Sequence, residues 1–533
     1  TATCVSNSAP ANNTGVCTFA GGQSVGAYTL DGAYAGDTQD LPATDGDSLS
    51  IAQATTDLTV TTTPSSSAAG EDVLFAVELT LTNGTGALDG DIEVTANGLT
   101  NAGVTSSGCT IPVTAQASPF TADCTRAFTL FGNDQVVSAV FVPSSTNFAG
   151  DSATTLHDVT SASTQTLITG FTPANPQVGD AVTVGFDVNG GEGTYEGVIN
   201  VSVNGSPVTC SPALSFDSTT GVGSCRVPGL FQTAGDYSFV VAFDGVELGN
   251  DADSTSDASV LTVDPRSTSL SLSAAPASQQ QAGQSVVFTV NAAAITGPSL
   301  DGFDAGNVAS GTAYVCLASS PVCDSSSALC TATLSGAGTD GAASGTCPSS
   351  FAAVGNYSFV ANYVGNTNFA GSTSVALPYA VEPRDTSISI TRVSSFTSGS
   401  SPAASALVGE RVTVVFDVDG GLGEYEGSVT VTADGPGPLS ATCDNGSFNI
   451  ETGEGSCTFS VGNSNGLEQV GTWSFSADFI PGVEGNDAAS TTGPSAASIN
   501  ILQASTTLVL SSSPAPSVFG QPFTLTATVT ATP

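Results

Sequence analysis

One stretch of the chain occurs twice and constrains the fold more than any other feature. Residues 178–197 read VGDAVTVGFDVNGGEGTYEG, residues 408–427 read VGERVTVVFDVDGGLGEYEG, and the two align without a gap at an offset of 230. In the first copy, polar or small residues alternate with the apolar residues Val182, Val184, Phe186 and Val188. This period of two is the pattern of a β-strand with one buried face. A duplication of this kind predicts an array of similar β modules.

Length and composition point the same way. A chain of 533 residues is too long for one core and suits several domains of about 100 residues. The 40% of hydrophobic residues is enough for folded domains, and they fall in short alternating runs rather than in helical patterns. We therefore expect an all-β protein.

The charge excludes several kinds of partner. The chain has 47 acidic residues against six basic ones, a formal net charge of −41. Nucleic acid is excluded as a partner because phosphate binding needs basic clusters, and anionic lipid headgroups are disfavoured for the same reason. No apolar run reaches 18 residues, so we expect no direct membrane insertion in this segment. Since Met is absent, we expect a segment processed or excised from a longer chain.

The cysteines mark one module after another. Most successive pairs are separated by 13 to 17 residues, and one pair is tighter; the pairs are Cys4/Cys17, Cys109/Cys124, Cys210/Cys225, Cys316/Cys323, Cys330/Cys347 and Cys443/Cys457. An even number of locally paired cysteines predicts disulfides formed in an oxidising, extracellular compartment. Zinc is the competing interpretation, but CxxC spacings are absent and the chain has one histidine.

A short aromatic motif lies downstream of four of these pairs. Each copy places an aromatic residue and a second apolar residue two positions apart at the start of a strand; the aromatic residues are Tyr28, Tyr237, Tyr357 and Trp473. Residues two apart share one face of a strand, which favours a core position. Stacking of a ligand on Trp473 is the alternative.

The two markers divide the chain into modules. Complete modules occupy residues 54–160, 161–265, 266–384 and 385–503. Residues 1–53 carry the C-terminal half of a module, and residues 504–533 carry an N-terminal half. Because the junctions are only a few residues long, we expect an elongated, semi-rigid rod.

The order of strands resembles bacterial immunoglobulin-like repeat domain proteins, which are large tandem-repeat surface or secreted fibres and adhesins. The resemblance rests on the opening strand "VGxxVTVxFxV", the strand GDYSFVVAF at 235–243 and the loop TNFAG at 146–150 and 367–371. It implies tandem β-sandwiches acting as stalks, adhesins or fibres. The cysteine spacing departs from antibody domains, so we expect a local staple rather than a bridge between the two sheets.

Candidate chemistry is sparse. His157 is the one residue around which a Ser-His-Asp triad could form, and we expect it to be a solvated strand residue instead. Acidic turns offer oxygen ligands for calcium at Asp45, Asp47, Asp251, Asp253, Asp301 and Asp304. None of these turns matches an EF-hand loop, and the dipeptide Asp-Gly is equally common in turns that bind no metal. We expect no catalytic residue and no cofactor, with calcium as the alternative.

These observations predict a structural, non-catalytic component of an extracellular filament, stalk or surface fibre. The alternative is the stalk of a large cell-surface adhesin that attaches cells to cells or to a substrate. The partners would be other copies of the chain, joined head to tail or as one continuous filament, or other surface proteins. The half modules at the two ends would be completed in trans or by missing sequence.

Overall fold

The structure, a computed structural model, describes residues 15–19, 21–97, 99–100, 108–247, 249–395, 405–420, 424–443, 446–459, 467–494 and 496–532. Every regular element in these ranges is a β-strand, which confirms the all-β class. The chain divides into two compact units, Thr1–Asp264 with Ser299–Asp301, and Pro265–Pro298 with Gly302–Pro533.

The first unit begins with an antiparallel pair and continues with a sandwich whose strands fall within residues 56–160. The pair is β1 (Gly26–Tyr34) and β2 (Ala43–Ile51). The strands of the sandwich are β3 (Thr56–Thr63), β4 (Ser66–Ala68), β5 (Asp72–Leu81), β6 (Leu88–Ala96), β7 (Leu99–Thr100), β8 (Gly108–Gln116), β9 (Phe120–Phe128), β10 (Gly132–Pro143) and β11 (Asp151–Thr160). They form two sheets in the orders β3-β5-β9-β7 and β4-β11-β10-β6-β8.

The strands of a second sandwich of the same unit fall within residues 164–263. Its strands are β12 (Thr164–Thr172), β13 (Val182–Gly190), β14 (Gly197–Val203), β15 (Ser206–Pro207), β16 (Ser215–Phe216), β17 (Val222–Val227), β18 (Gly235–Gly245), β19 (Ser254–Thr255) and β20 (Ser259–Val263). One sheet has the order β12-β13-β17-β16 and the other β15-β14-β18-β19, with β20 also paired to β18.

The second unit begins with a sandwich whose strands fall within residues 268–382. Its strands are β21 (Thr268–Ala275), β22 (Gln279–Gln281), β23 (Ser285–Ala294), β24 (Gly311–Leu317), β25 (Cys330–Leu334), β26 (Ala343–Ser350), β27 (Gly355–Tyr363), β28 (Ser372–Thr373) and β29 (Leu377–Glu382). The sheets are β21-β23-β26 and β22-β29-β27-β24-β25, with β28 on β27.

The last sandwich and a final strand pair complete this unit. The strands are β30 (Ser387–Ser395), β31 (Ser405–Leu407), β32 (Val412–Asp419), β33 (Gly427–Asp434), β34 (Ser440–Cys443), β35 (Ser447–Phe448), β36 (Glu454–Phe459), β37 (Gly471–Pro481), β38 (Ser490–Thr491), β39 (Ala497–Leu502), β40 (Ser505–Ser513) and β41 (Thr524–Thr532). The sheets are β30-β32-β36-β35, β31-β39-β37-β33-β34 with β38 on β37, and the pair β40-β41.

The opening segment of each sandwich contributes to both sheets. In the sandwich of residues 54–160, β3 pairs antiparallel with β5, and then β4 pairs parallel with the last strand β11. A proline follows the first strand at Pro64, Pro173 and Pro276. Because proline cannot donate to a ladder, the chain leaves the first sheet there and crosses to the second. A first strand that is split between two largely antiparallel sheets defines these domains as immunoglobulin-like β-sandwiches.

Alternation along the strands builds the cores, as the duplicated stretch predicts. Val182, Val184, Phe186 and Val188 on β13 are fully buried. The facing sheet contributes Phe239, Val241 and Phe243 from β18, all equally buried. Each such side chain stabilises the fold by roughly 1.5–3 kcal/mol relative to an exposed position. The cores of residues 54–160 and 385–503 have the same construction.

The aromatic motif forms a corner at the start of one strand in several domains. The side chain donates a hydrogen bond to the carbonyl four residues upstream: Tyr28 to Ser24 at 2.6 Å, Tyr237 to Thr233 at 3.0 Å, Tyr357 to Ala353 at 2.8 Å and Trp473 to Gln469 at 2.9 Å. This is the tyrosine corner of immunoglobulin-like domains, with an indole replacing the phenol in the last case. Trp473 is buried in the core, so the structure favours the core interpretation over stacking of a ligand.

Candidate functional site at the module junctions

One residue at the start of each complete module, or directly before it, is clamped to a loop of that module. Its amide donates a hydrogen bond to the carbonyl of a loop asparagine. Its carbonyl accepts a hydrogen bond from the amide two residues after that asparagine, and all these distances are 2.7–2.9 Å. The pairs are Ala54 with Asn147 and Ala149, Ala162 with Asn250 and Ala252, Arg266 with Asn368 and Ala370, and Arg384 with Asn486 and Ala488. Two such bonds remove the freedom that a short linker would otherwise have. The residues that join modules are therefore ordered parts of the domain that follows them.

The asparagine of the same loop reaches back to the preceding module. At three junctions its Oδ1 accepts a hydrogen bond from the amide that comes directly before the glycine of a strand start. Val25 donates to Asn147 at 2.9 Å, Phe131 to Asn250 at 2.8 Å, and Val354 to Asn486 at 2.8 Å. The first two contacts lie in the first unit, and the third lies in the second. One polar contact therefore recurs at three junctions within the units.

The residue after this asparagine differs between alternate modules. It is Phe148 and Phe369 in residues 54–160 and 266–384, and Asp251 and Asp487 in residues 161–265 and 385–503. All four side chains are buried. The modules therefore alternate between an apolar and an acidic residue at this position, and the structural repeat is a pair of modules. This explains why the duplicated stretch recurs in alternate modules.

The buried carboxylates hold the glycine-rich end of the duplicated stretch. Asp251 accepts hydrogen bonds from the amides of Glu192 at 3.0 Å and Glu196 at 3.3 Å, and Asp487 accepts one from Glu426 at 2.8 Å. Gly191 has a φ of +79°, and a Cβ there would overlap Oδ1 of Asp251. Glycine is therefore required both by the left-handed backbone and by the carboxylate.

A tyrosine closes this loop in both acidic modules. The Tyr195 hydroxyl donates to the Gly190 carbonyl at 2.8 Å, and its ring lies edge-on to Phe243 with centroids 6.0 Å apart. Tyr425 meets Phe479 in the same arrangement at 6.3 Å. Burial, followed by the charge of Asp251, raises the pKa of Tyr195. The tyrosine therefore stays neutral and serves as a packing residue.

The disulfides agree with the predicted pairs but correct the expectation of a staple within one sheet. The structure joins Cys109–Cys124, Cys210–Cys225, Cys316–Cys323, Cys330–Cys347 and Cys443–Cys457, whereas Cys4, the predicted partner of Cys17, lies outside the described residues. In three modules the bridge joins the two sheets, through β8 and β9, β25 and β26, or β34 and β36. The expectation was wrong because the chain changes sheet between these strands, at the edge of the sandwich, so cysteines close in sequence lie on opposite sheets.

His157 also differs from expectation. It is not solvated but 1% exposed, stacked on Phe128 with centroids 4.8 Å apart. Its Nε2 lies 2.9 Å from the Ser67 hydroxyl and its Nδ1 lies 3.2 Å from the Thr62 hydroxyl. Burial lowers the pKa of His157. The sequence pattern did not predict this burial because the opening segment of the same module covers this face of β11.

The calcium candidates lie in separate places. Asp45 and Asp47 each accept a hydrogen bond from the next amide in the chain. Asp251 accepts from the amide of Glu192, and Asp253 accepts from the Gly245 amide at 2.7 Å. Asp301 forms an ion pair with Arg226 at 3.2 Å, and Asp304 is exposed. Within the described ranges, no three acidic, histidine or cysteine side chains come together as metal ligands. Calcium stays the alternative that the sequence left open. In the same ranges, no helix is long and apolar enough to cross a membrane.

Comparisons with known proteins found similar solved structures but no match in sequence. No family model matches the chain, and no curated protein matches it in sequence. Similar solved structures include the bacterial integrin-binding protein invasin, at 12% identity over 86% of this chain and 82% of that one, with a TM-score of 0.34. A tetra-tandem repeat from the extending region of a large adhesion protein is 14% identical over 83% and 99%, with a TM-score of 0.32. A four-domain ectodomain fragment of ICAM-5 is 12% identical over 84% and 100%, with a TM-score of 0.33.

Proposed function

We propose that this chain is a structural, non-catalytic segment of an extracellular filament, stalk or surface fibre. The observation that carries the proposal is the repeated junction, in which Asn147, Asn250 or Asn486 accepts a bond from the preceding module. Catalysis does not require identical contacts between successive domains. A protein whose function is to hold two points at a fixed distance does require them.

The junction stiffens the array in two ways. The clamped junction residue prevents the linker from acting as a swivel, because both its amide and its carbonyl are bonded within the following domain. The asparagine then fixes that domain to the end of the preceding one. A hydrogen bond of this kind contributes about 0.5–1.5 kcal/mol, enough to bias the angle between two modules without making it immobile.

Two further features support an extracellular location. Five disulfides join cysteines within modules, as expected for proteins that fold in an oxidising compartment. The net charge of −41 is spread along the sequence, and it would keep a long particle soluble in a saline medium, where it is screened within about 10 Å.

The buried histidine supports a non-catalytic role. A general base must reach a substrate, yet His157 lies inside a core and is bonded to the hydroxyls of Ser67 and Thr62. A carboxylate does not occupy the position that orients the histidine of a triad, since Thr62 is bonded there. These residues stabilise the module of residues 54–160.

The second candidate function is the stalk of a cell-surface adhesin. One observation favours it: the module of residues 266–384 carries an extra disulfide, Cys316–Cys323, that the other modules lack. A module that departs from its neighbours is where a binding surface would be expected within an otherwise regular stalk.

Electron microscopy of the native particle tests the proposal. A long uniform filament would support the filament function, and single rods projecting from a cell surface would support the adhesin stalk. Soluble compact particles with no attachment to a cell or filament would contradict both. The mass of the intact purified chain separates a continuous chain, which would be much larger than 52.4 kDa, from head-to-tail assembly of subunits near that mass.

A further inference from the structure

A groove lies beside the extra disulfide loop in the module of residues 266–384. The loop connects β24 to β25 and is closed by Cys316–Cys323. The groove has a volume of about 470 Å³, and its lining includes Tyr314, Asp324, Ser325, Asn362, Ser372 and Thr373. This volume falls within the roughly 300–1,000 Å³ of small-molecule sites.

The floor of the groove is fixed by one side chain. Asn362 on β27 donates from Nδ2 to the Cys323 carbonyl at 2.8 Å, and its Oδ1 accepts from the Thr373 hydroxyl at 3.2 Å. These bonds hold the disulfide loop and β28, the two walls of the groove, at a set separation. A site that is ordered before a ligand arrives loses less entropy on binding.

The loop wall is ordered by bonds of its own. The Asp324 carboxylate accepts from the Ser326 amide at 2.8 Å and from the Ser326 hydroxyl at 2.6 Å. Hydrogen bonds from Ser326 lower the pKa of Asp324, which is therefore an ionised acceptor at neutral pH. The Ser327 hydroxyl donates to the Val322 carbonyl at 2.6 Å, which ties the loop across its base.

The aromatic side chain of Tyr314 is specific to this module. Tyr314 lies opposite Asn362 on the outer face of its sheet. The same register position holds Glu93 opposite Val140, Asn200 opposite Ala242, and Thr430 opposite Asp478 in the other sandwiches. None of those pairs contains an aromatic residue. The groove is therefore an addition to the domain and not a consequence of the fold.

We propose that this groove binds a neutral carbohydrate, with the ring of Tyr314 as a stacking platform and Asp324, Ser325 and Thr373 as hydrogen-bond partners of sugar hydroxyls. Polyhydroxyl ligands match a lining that mixes hydroxyl groups, one carboxylate and aromatic residues. An anionic ligand is disfavoured by Asp324 and by the net charge of −41. A metal ion is disfavoured because the described residues form no cluster of metal ligands.

The test is a glycan array probed with the intact 533-residue chain, followed by calorimetry on the neutral oligosaccharides that bind. We expect Tyr314→Ala to weaken binding at least tenfold and Tyr314→Phe, which keeps the ring, to change it less than threefold. The matched control is Thr430→Ala at the same register position of another module, and it should bind as the parent chain does.

A second variant guards against misfolding of the first. Cys316→Ala combined with Cys323→Ala frees the loop while Cys330–Cys347 keeps the module stapled. Binding should fall at least tenfold while the melting transition of the chain is retained. The proposal is overturned if no neutral glycan binds at millimolar concentration, or if binding survives Tyr314→Ala. Preferential binding of basic peptides that is abolished by salt would overturn it as well.

Discussion

Arg384 Nε lies 2.8 Å from Asp487 Oδ1 at the junction that opens the module of residues 385–503, and both side chains are buried. The arginine also donates from Nη2 to the Glu424 carbonyl at 3.0 Å. The acidic module of residues 161–265 has Ala162 where this one has Arg384, and there Asp251 accepts two amide bonds. The carboxylate at this position is therefore stabilised by an arginine in one acidic module and by two backbone amides in the other.

The first prediction follows from this ion pair. Arg384→Met leaves the Asp487 carboxylate buried without its cation, which costs about 3–5 kcal/mol of unfolding free energy. Denaturant unfolding of the full chain, followed by the fluorescence of Trp473 in the same module, measures the change. Arg392→Ala is the matched control, because Arg392 is exposed on β30. Equal effects of the two substitutions would contradict the account of the junction.

The second prediction concerns pH. Burial lowers the pKa of His157 in the folded chain, so folding favours the neutral imidazole. The stabilisation is fully present above the unfolded pKa of about 6.5 and is lost as the pH falls through the folded pKa, with a slope of at most about 1.4 kcal/mol per pH unit. His157 is the single histidine, so its proton resonances report its pKa directly. A measured value at or above 6.5 would contradict the buried position.

Calorimetry gives an independent check of the same residue. Between pH 7 and pH 5, the thermal transition of the module of residues 54–160 should move to lower temperature in the parent chain. His157→Gln retains a polar group but cannot take up a proton, so its transition should move much less over this range. The exposed carboxylates titrate mostly below pH 5 and are common to both chains.

The third prediction concerns the tyrosine corner. Tyr237→Phe removes the hydroxyl that bonds to the Thr233 carbonyl and leaves the ring in place. The unfolding free energy of its module should fall by about 0.5–1.5 kcal/mol. Tyr34→Phe is the control, because Tyr34 lies exposed in a different module. If Tyr237→Phe proves neutral in denaturant unfolding, the corner does not stabilise the domain.

The fourth prediction concerns the disulfides. Replacing Cys210 and Cys225 by alanine opens a loop of 15 residues and should cost about 3 kcal/mol in the chain-entropy description. The module should melt at a lower temperature while its neighbours are unchanged. Peptide mapping under non-reducing conditions checks all the pairs. Free thiols, or bridges between distant modules, would contradict them.

The sequence alone predicted the features that depend on a local pattern of residues. Alternation along 182–188 predicted a strand with one buried face, and these residues form β13 with its apolar side chains in the core. Cysteine spacing likewise predicted pairs that the structure joins. In both cases the information lies within about 20 residues, and the geometry of one strand or one short loop converts it into structure. The boundaries of the six spans stay a prediction.

Other features depend on residues far apart in the chain. The burial of His157 results from its contact with Ser67, 90 residues away. The junction contacts join Val354 to Asn486, 132 residues apart, and periodicity carries no information about such pairs. The repeated asparagine followed by phenylalanine or aspartate was visible in the sequence. Its role at the junction became clear only from the structure, which shows how the linker residue pairs with the loop.

Small-angle scattering of the intact chain and of its Asn147→Ala, Asn250→Ala, Asn486→Ala triple variant tests the central claim, that polar junctions make the array stiff. A compact protein of this length would have a radius of gyration of about 24 Å. We expect a value well above this for the parent chain, and for the variant a smaller radius with a broader distribution of distances, because freed junctions bend. A parent radius near 24 Å, or identical curves for the two chains, would contradict the claim.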